Sequence, residues 1–170
     1  MAQFINRMND YVFKRIFGSE GNKDILIHFL NSVLKTQSGQ EIADIELLDR
    51  ELDPTFLGNK YSRLDILGRT AAGTLVNIEL QIVNQYNIEK RTLFYWATLY
   101  QGQLQSGQAH SLLKKTGTIN ILNFTCLPDS SRYHNTFHVR EDETHHLLND
   151  DLEIHFLELP KMLSRQTSPQ

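Results

Sequence analysis

The stretch RLDILGRTAAGTLVNIELQ, residues 63–81, reads as two strands joined at Thr-Ala-Ala-Gly. A strand sends alternate side chains to opposite faces. If the hairpin is symmetric about Ala72, Asp65 lies opposite Glu79 and Arg63 opposite Gln81. One face then carries Arg63, Asp65, Asn77, Glu79 and Gln81, and the other carries Leu64, Ile66, Val76, Ile78, Leu80 and Ile82. The apolar set fixes the register, because a slip of one residue would bury the carboxylates in place of the aliphatic groups.

Two acids facing each other across a hairpin have β-carbons about 4.5–5.5 Å apart, where like charges destabilise a sheet. The repulsion is relieved if one acid keeps a proton through a raised pKa, or if a cation sits between them. Mg²⁺ suits such a pair, since it takes hard oxygen ligands and is held by one or two carboxylates with water and substrate phosphate. The plainer alternative leaves Asp65 and Glu79 in solvent, paired with Arg63, Lys60 or Arg69. Spacing alone does not choose between the two.

A chain of 170 residues is long enough for one domain with a real core and too short for two. The expected domain spans 1–160, with 161–170 as a frayed tail after Pro160. The composition, 40% hydrophobic and 22% charged, is that of a folded globular protein. The single cysteine, Cys126 in INILNFTCLP, excludes an internal disulfide and reads as a buried thiol of a cytoplasmic protein. No apolar window is long enough to span a bilayer, so no membrane partner is expected. A net charge of −3 means that nucleic-acid binding needs a local basic patch.

Around the hairpin, apolar residues recur at helical spacing at Val12, Phe13, Ile16 and Phe17 and again from Ile25 to Leu34, with a break at residues 18–21. IADIELLDREL predicts a first strand, and residues 53–59 a loop. Beyond Asn84 a second long helix is expected to bury Leu93, Ala97, Tyr100 and Leu104, with Trp96 at the border and an end near Gly107. The aromatic group Phe94, Tyr95, Trp96 and Tyr100 is assigned to helix packing rather than to base stacking. TINILNFT reads as a strand buried on both faces, and TFHVRE and LEIHFLELP as strands nearer an edge. The order is helix, three strands, helix, strand and two further strands, a mixed α/β (α+β) domain with helices on a central sheet.

An Asp followed, on the next strand, by Glu-x-Gln resembles the PD-(D/E)xK nuclease signature, and the chain as a whole resembles the PD-(D/E)xK nuclease family transposases, or recombination-promoting nucleases. Blocks NDYVFKRIFG, ILIHFLNSVL, RLDILGRTAAGTLVNIELQ, EKRTLFYWATLYQGQL and LEIHFLELPK carry the resemblance in order. It implies a restriction-endonuclease-like core and a metal-dependent DNA endonuclease, with water attacking phosphorus in line to leave a 5′-phosphate and a 3′-hydroxyl. It makes Asp65 and Glu79 metal ligands, with the Leu80 backbone carbonyl as a further one and Asp10 as an added acid from the first helix. Gln81 stands where the wider superfamily has lysine; it can orient water but brings no charge. Lys90 or Arg91 would supply that charge, and with Arg63 they are the candidate DNA-contacting residues. Mg²⁺, or Mn²⁺ in its place, is the implied cofactor; no organic cofactor is expected. DNA and a second copy in a homodimer are the expected partners.

Other chemistries find little support. The seven histidines, including His134, His138, His145 and His146, lack the spacing of a zinc site. P-loop, Gly-x-Gly-x-x-Gly and Gly-x-Ser-x-Gly motifs are missing from the sequence.

Overall fold

A six-stranded mixed sheet in the order β1-β2-β3-β4-β6-β5 organises the chain, as seen in a computed structural model that describes residues 10–36, 39–49, 64–84 and 86–166. The elements are α1 (Asp10–Phe17), α2 (Lys23–Leu34), β1 (Ile45–Leu47), β2 (Ile66–Thr70), β3 (Leu75–Gln81), α3 (Ile88–Gln101), β4 (Thr116–Leu122), β5 (His134–Phe137), β6 (Leu152–Glu158) and α4 (Leu159–Gln166). The fold is the expected mixed α/β class. It has the helix, three strands, helix, strand order of a restriction-endonuclease-like core, followed by two more strands and a helix that was not foreseen.

The hairpin folds about Ala72 in the expected register: Ile66 pairs with Ile78, Leu67 with Asn77, Gly68 with Val76 and Arg69 with Leu75. Gly73 closes the turn at φ +88, a left-handed conformation that glycine adopts without a Cβ penalty. Helix α3 then carries the chain from β3 to β4, which runs parallel to it. Ile66, Val76, Ile78 and Leu80 pack on one face with Ile119, Ile121 and Leu157, under Phe13 of α1 and Leu26, Leu30 and Val33 of α2. The opposite face lies under α3.

Four expectations fail locally. The buried side of α3 is Ile88, Thr92, Tyr95 and Leu99, not the stripe through Leu93, Ala97, Tyr100 and Leu104, and Leu93 is half exposed. The sheet face below α3 carries Thr118 and Asn120, which bond the Thr92 hydroxyl at 3.0 and 2.9 Å, so a threonine enters the helix's buried stripe. The helix ends at Gln101 with Gly102 as its cap, well before Gly107. β6 lies inside the sheet between β4 and β5, and of these two strands only β5, displaced toward the N terminus from TFHVRE, is an edge strand. Leu64 packs with Leu67, Tyr95 and Leu99 rather than with Ile66, because β2 begins only at Ile66 and the alternation does not extend back through Asp65.

The expected boundary at residue 160 falls inside α4. Pro160 sits in the first turn of that helix, where a missing N–H breaks no intrahelical bond. Cys126 follows β4 and is half-buried against the cluster of Ile88, Leu122, Ile154 and Phe156.

Candidate active site

β3 is buried along its whole length, so its polar face cannot look into solvent: Glu79 is 2% exposed and Asn77 1%. The solvated alternative for the acidic pair therefore fails, most plainly for Glu79. Asp65 stands one residue before β2, where the chain bends away from the ladder, and its carboxylate reaches the end of the hairpin. The Leu80 N–H donates to Asp65 Oδ2 at 2.8 Å, and the Asp65 N–H donates to Glu79 Oε1 at 3.2 Å. The Asp65 backbone thus serves the Glu79 carboxylate, and the Leu80 backbone serves that of Asp65.

In an extended strand the N–H and C=O of one residue point to the same edge. The Leu80 N–H points at Asp65, so the Leu80 carbonyl projects to that edge too, two residues past the last β2 pair at Ile78. Gln81 shows the opposite sense, its carbonyl accepting from Asn123 N–H at 3.0 Å beside β4. Asp65, Glu79 and the Leu80 carbonyl therefore sit at one corner of the sheet.

Two cations enter this corner from opposite faces. Lys14 of α1 places Nζ 2.9 Å from Asp65 Oδ1. Arg91, in the first turns of α3, donates from Nη1 to Gln81 Oε1 at 2.9 Å and from Nη2 to Glu79 Oε2 at 3.3 Å, while its guanidinium lies 5.3 Å from the centre of the Tyr95 ring. The bond from Arg91 fixes the Gln81 amide with its oxygen toward the guanidinium and its NH₂ end pointing elsewhere.

Burial pushes the Glu79 carboxyl up to about 7, and the nearby Asp65 charge adds to the rise. The Asp65 N–H, Arg91 and the Asn77 amide oppose it. Among the described residues, neither Nδ2 nor Oδ1 of Asn77 has a hydrogen-bond partner. A buried acid near neutrality beside a second acid is the electrostatic signature of a cation site or a catalytic carboxylate.

The candidates drawn from sequence divide accordingly. Asp65, Glu79, Leu80, Gln81 and Arg91 come together. Lys90 is exposed on α3, and no bond joins it to the site among the described residues. Arg63 lies outside the described residues. Asp10 opens α1 one turn before Lys14, and its side chain is likewise outside them. Lys14, beside Arg15 in YVFKRIF, is a functional candidate that the sequence reading does not single out.

A second group with ligand chemistry, His138, Asp150 and Glu153, places its donor atoms within 4.8 Å of one another. It lies toward the opposite end of the strands, since Glu153 pairs with Gly117 and Gly117 with Val76. Lys115 already bridges Asp150 and Glu153 there, so the charge is compensated by the chain itself. Burial tends to raise the Glu153 carboxyl, but His155 and Lys115 outweigh it and hold it down at about 2.

The mixed sheet with its flanking helices is a restriction-endonuclease-like fold, and the acidic pair lies at the end of its central hairpin. The sequence profile of the PD-(D/E)XK nuclease family transposases matches residues 7–170. The chain belongs to that family. No curated protein and no solved structure matches it.

Proposed function

We propose that the chain is a Mg²⁺-dependent DNA endonuclease serving transposition or recombination. The observation that carries this reading is the corner formed by Asp65, Glu79 and the Leu80 carbonyl, in which a nearly fully buried acid is held near neutrality. The donors are all hard oxygens, without histidine or cysteine, which suits Mg²⁺ or Mn²⁺ rather than zinc. A divalent ion there supplies Lewis acidity that offsets charge building on the phosphate.

The chain's own residues do the rest. Asp65 and Glu79 hold their oxygens in place through the backbone N–H bonds they accept. Gln81, its amide oxygen fixed by Arg91, presents its NH₂ end to orient an attacking water. Arg91 contributes the positive charge that glutamine lacks. Lys90 and Arg63 are assigned to the phosphate backbone of the flanking DNA, where they position without reading sequence.

Asp65→Ala and Glu79→Ala are each expected to abolish cleavage of supercoiled plasmid in Mg²⁺ or Mn²⁺. Unchanged cleavage by either variant, prepared free of contaminating nuclease, overturns the proposal.

One observation favours a second reading, a weak or inactive binding module on the same fold: Lys14 and Arg91 already counter the two carboxylates. Calorimetry separates the two. The module takes up no divalent ion through Asp65 and Glu79; the nuclease does.

A further inference from the structure

Two cations of the site, Arg91 and Lys14, come from different layers of the fold. Arg91 is locked by two bonds, to Gln81 and Glu79, and by its ring contact with Tyr95. Lys14 reaches Asp65 from the other face of the sheet, on a side chain one-third exposed. Its four-carbon stem carries a compact point charge able to change partner without moving the helix. The backbone of α1 is fixed independently, through Phe13 in the core.

The oxygen that Lys14 holds is the informative one. Asp65 Oδ2 accepts from the Leu80 N–H at 2.8 Å, and Oδ1 lies 2.9 Å from the ammonium. A hard divalent ion binds a carboxylate oxygen at about 2.0–2.1 Å. An ammonium in contact with the same oxygen would face that ion at close range with like charge and little solvent between them. The two cations therefore compete at Oδ1.

We propose that Lys14 is a tethered cation that occupies Asp65 Oδ1 while the site lacks a divalent ion, and that it passes to a phosphate oxygen of bound DNA when the ion displaces it. The inference rests on the metal-dependent reading above. Lys14 thus keeps the acidic corner neutral at rest, and its affinity for DNA becomes linked to metal. Linkage is reciprocal: whatever the ion adds to the grip of Lys14 on phosphate, phosphate adds to the grip of the site on the ion.

The test uses Lys14→Met, with Lys14→Gln as a second variant and Lys14→Arg as the charge-retaining control, all checked for an unchanged thermal transition. Calorimetric titration with Mg²⁺ alone should show Lys14→Met and Lys14→Gln binding about fivefold tighter than wild type, since the competing pair is gone. Binding to a short DNA duplex should be equal for wild type and Lys14→Met in EDTA. In Ca²⁺, used as a non-cleaving ion, it should be about tenfold weaker for Lys14→Met, a charge-assisted phosphate bond having been lost, and close to wild type for Lys14→Arg. Weaker or unchanged Mg²⁺ binding by both neutral variants overturns the inference, because Lys14 would then merely support Asp65. So does an equal loss of DNA affinity in EDTA and in Ca²⁺, the behaviour of an ordinary backbone contact. Failure of the wild-type protein to bind any divalent ion is a separate result, and it removes the nuclease reading itself.

Discussion

Glu79 should impose a pH-dependent cost on the metal-free fold, and replacing it with glutamine should remove that cost. Its carboxyl is raised from 4.5 to about 7, first by burial and then by Asp65. Below pH 4.5 the group is protonated in both folded and unfolded chains and costs nothing. As the pH climbs toward 7, the unfolded chain ionises while the folded one resists, so stability falls and stops falling once the folded group also ionises. A rise of that size corresponds to a loss on the order of 3 kcal/mol, and a side chain only 3% exposed needs little discount for screening. Urea unfolding in EDTA across pH 4.5 to 8.5 measures it. Relative to Glu79→Gln, the wild-type protein should lose about 3 kcal/mol over this range, most of it before pH 7. Saturating Mg²⁺ should shrink that loss, because the ion favours ionised Glu79. Parallel profiles for the two proteins in EDTA would refute the burial argument for Glu79.

Gly68→Ala should lower the urea midpoint by the equivalent of about 1–3 kcal/mol, the cost of overpacking. Its Cβ would sit 2.5 Å from Cδ1 of Ile45, a side chain 2% exposed, and Ile45→Val in the same chain should recover part of the loss. Glu158→Ala should cost about 3–5 kcal/mol in the same assay, because it takes the acceptor from the Cys126 and Leu127 N–H groups and the ionic partner from a partly buried lysine. Glu158 is fully buried, accepts from Cys126 and Leu127 N–H at 2.6 and 3.0 Å and pairs with Lys161 at 2.6 Å; Glu158→Gln, which keeps an acceptor, should cost less. Burial, and then Glu89, push the Cys126 thiol up to about 12, so at pH 8 a disulfide reagent should label it far more slowly in the native protein than in denaturant. Equal labelling rates would contradict the packing seen around it.

The hairpin register was legible because two independent constraints agreed on it. Alternation from Ile66 to Gln81 set which residues share a face, and the Thr-Ala-Ala-Gly turn set the centre. The element order followed from periodicity, which is a local property. The packing of α3 was not legible, because hydrophobic spacing favours Leu93 while the structure buries Thr92 against Thr118 and Asn120. That seam is polar for the same reason the site is: β3 and β4 carry Glu79 and Asn120 at paired positions beneath the helix. Lys14 was illegible for another reason. Its partner Asp65 lies 51 positions away on a different layer, and no short-range pattern encodes such a contact.

The bend at Asp65 shows how the fold and the candidate site depend on each other. Had β2 run on through Asp65, the acid would have stood squarely opposite Glu79, with the full cross-strand repulsion the sequence suggests. The chain instead leaves the ladder one residue early, and the Asp65 backbone N–H is then available to Glu79 while the Leu80 N–H is available to Asp65. The same departure sends Leu64 to the α3 side and opens the corner to Lys14 from the α1 side. A single break in alternation thus turns an electrostatic liability into a set of oxygens held apart by backbone donors. The aliphatic face from Ile66 to Leu80, buried under α1 and α2, supplies the stability that lets the hairpin end in two acids.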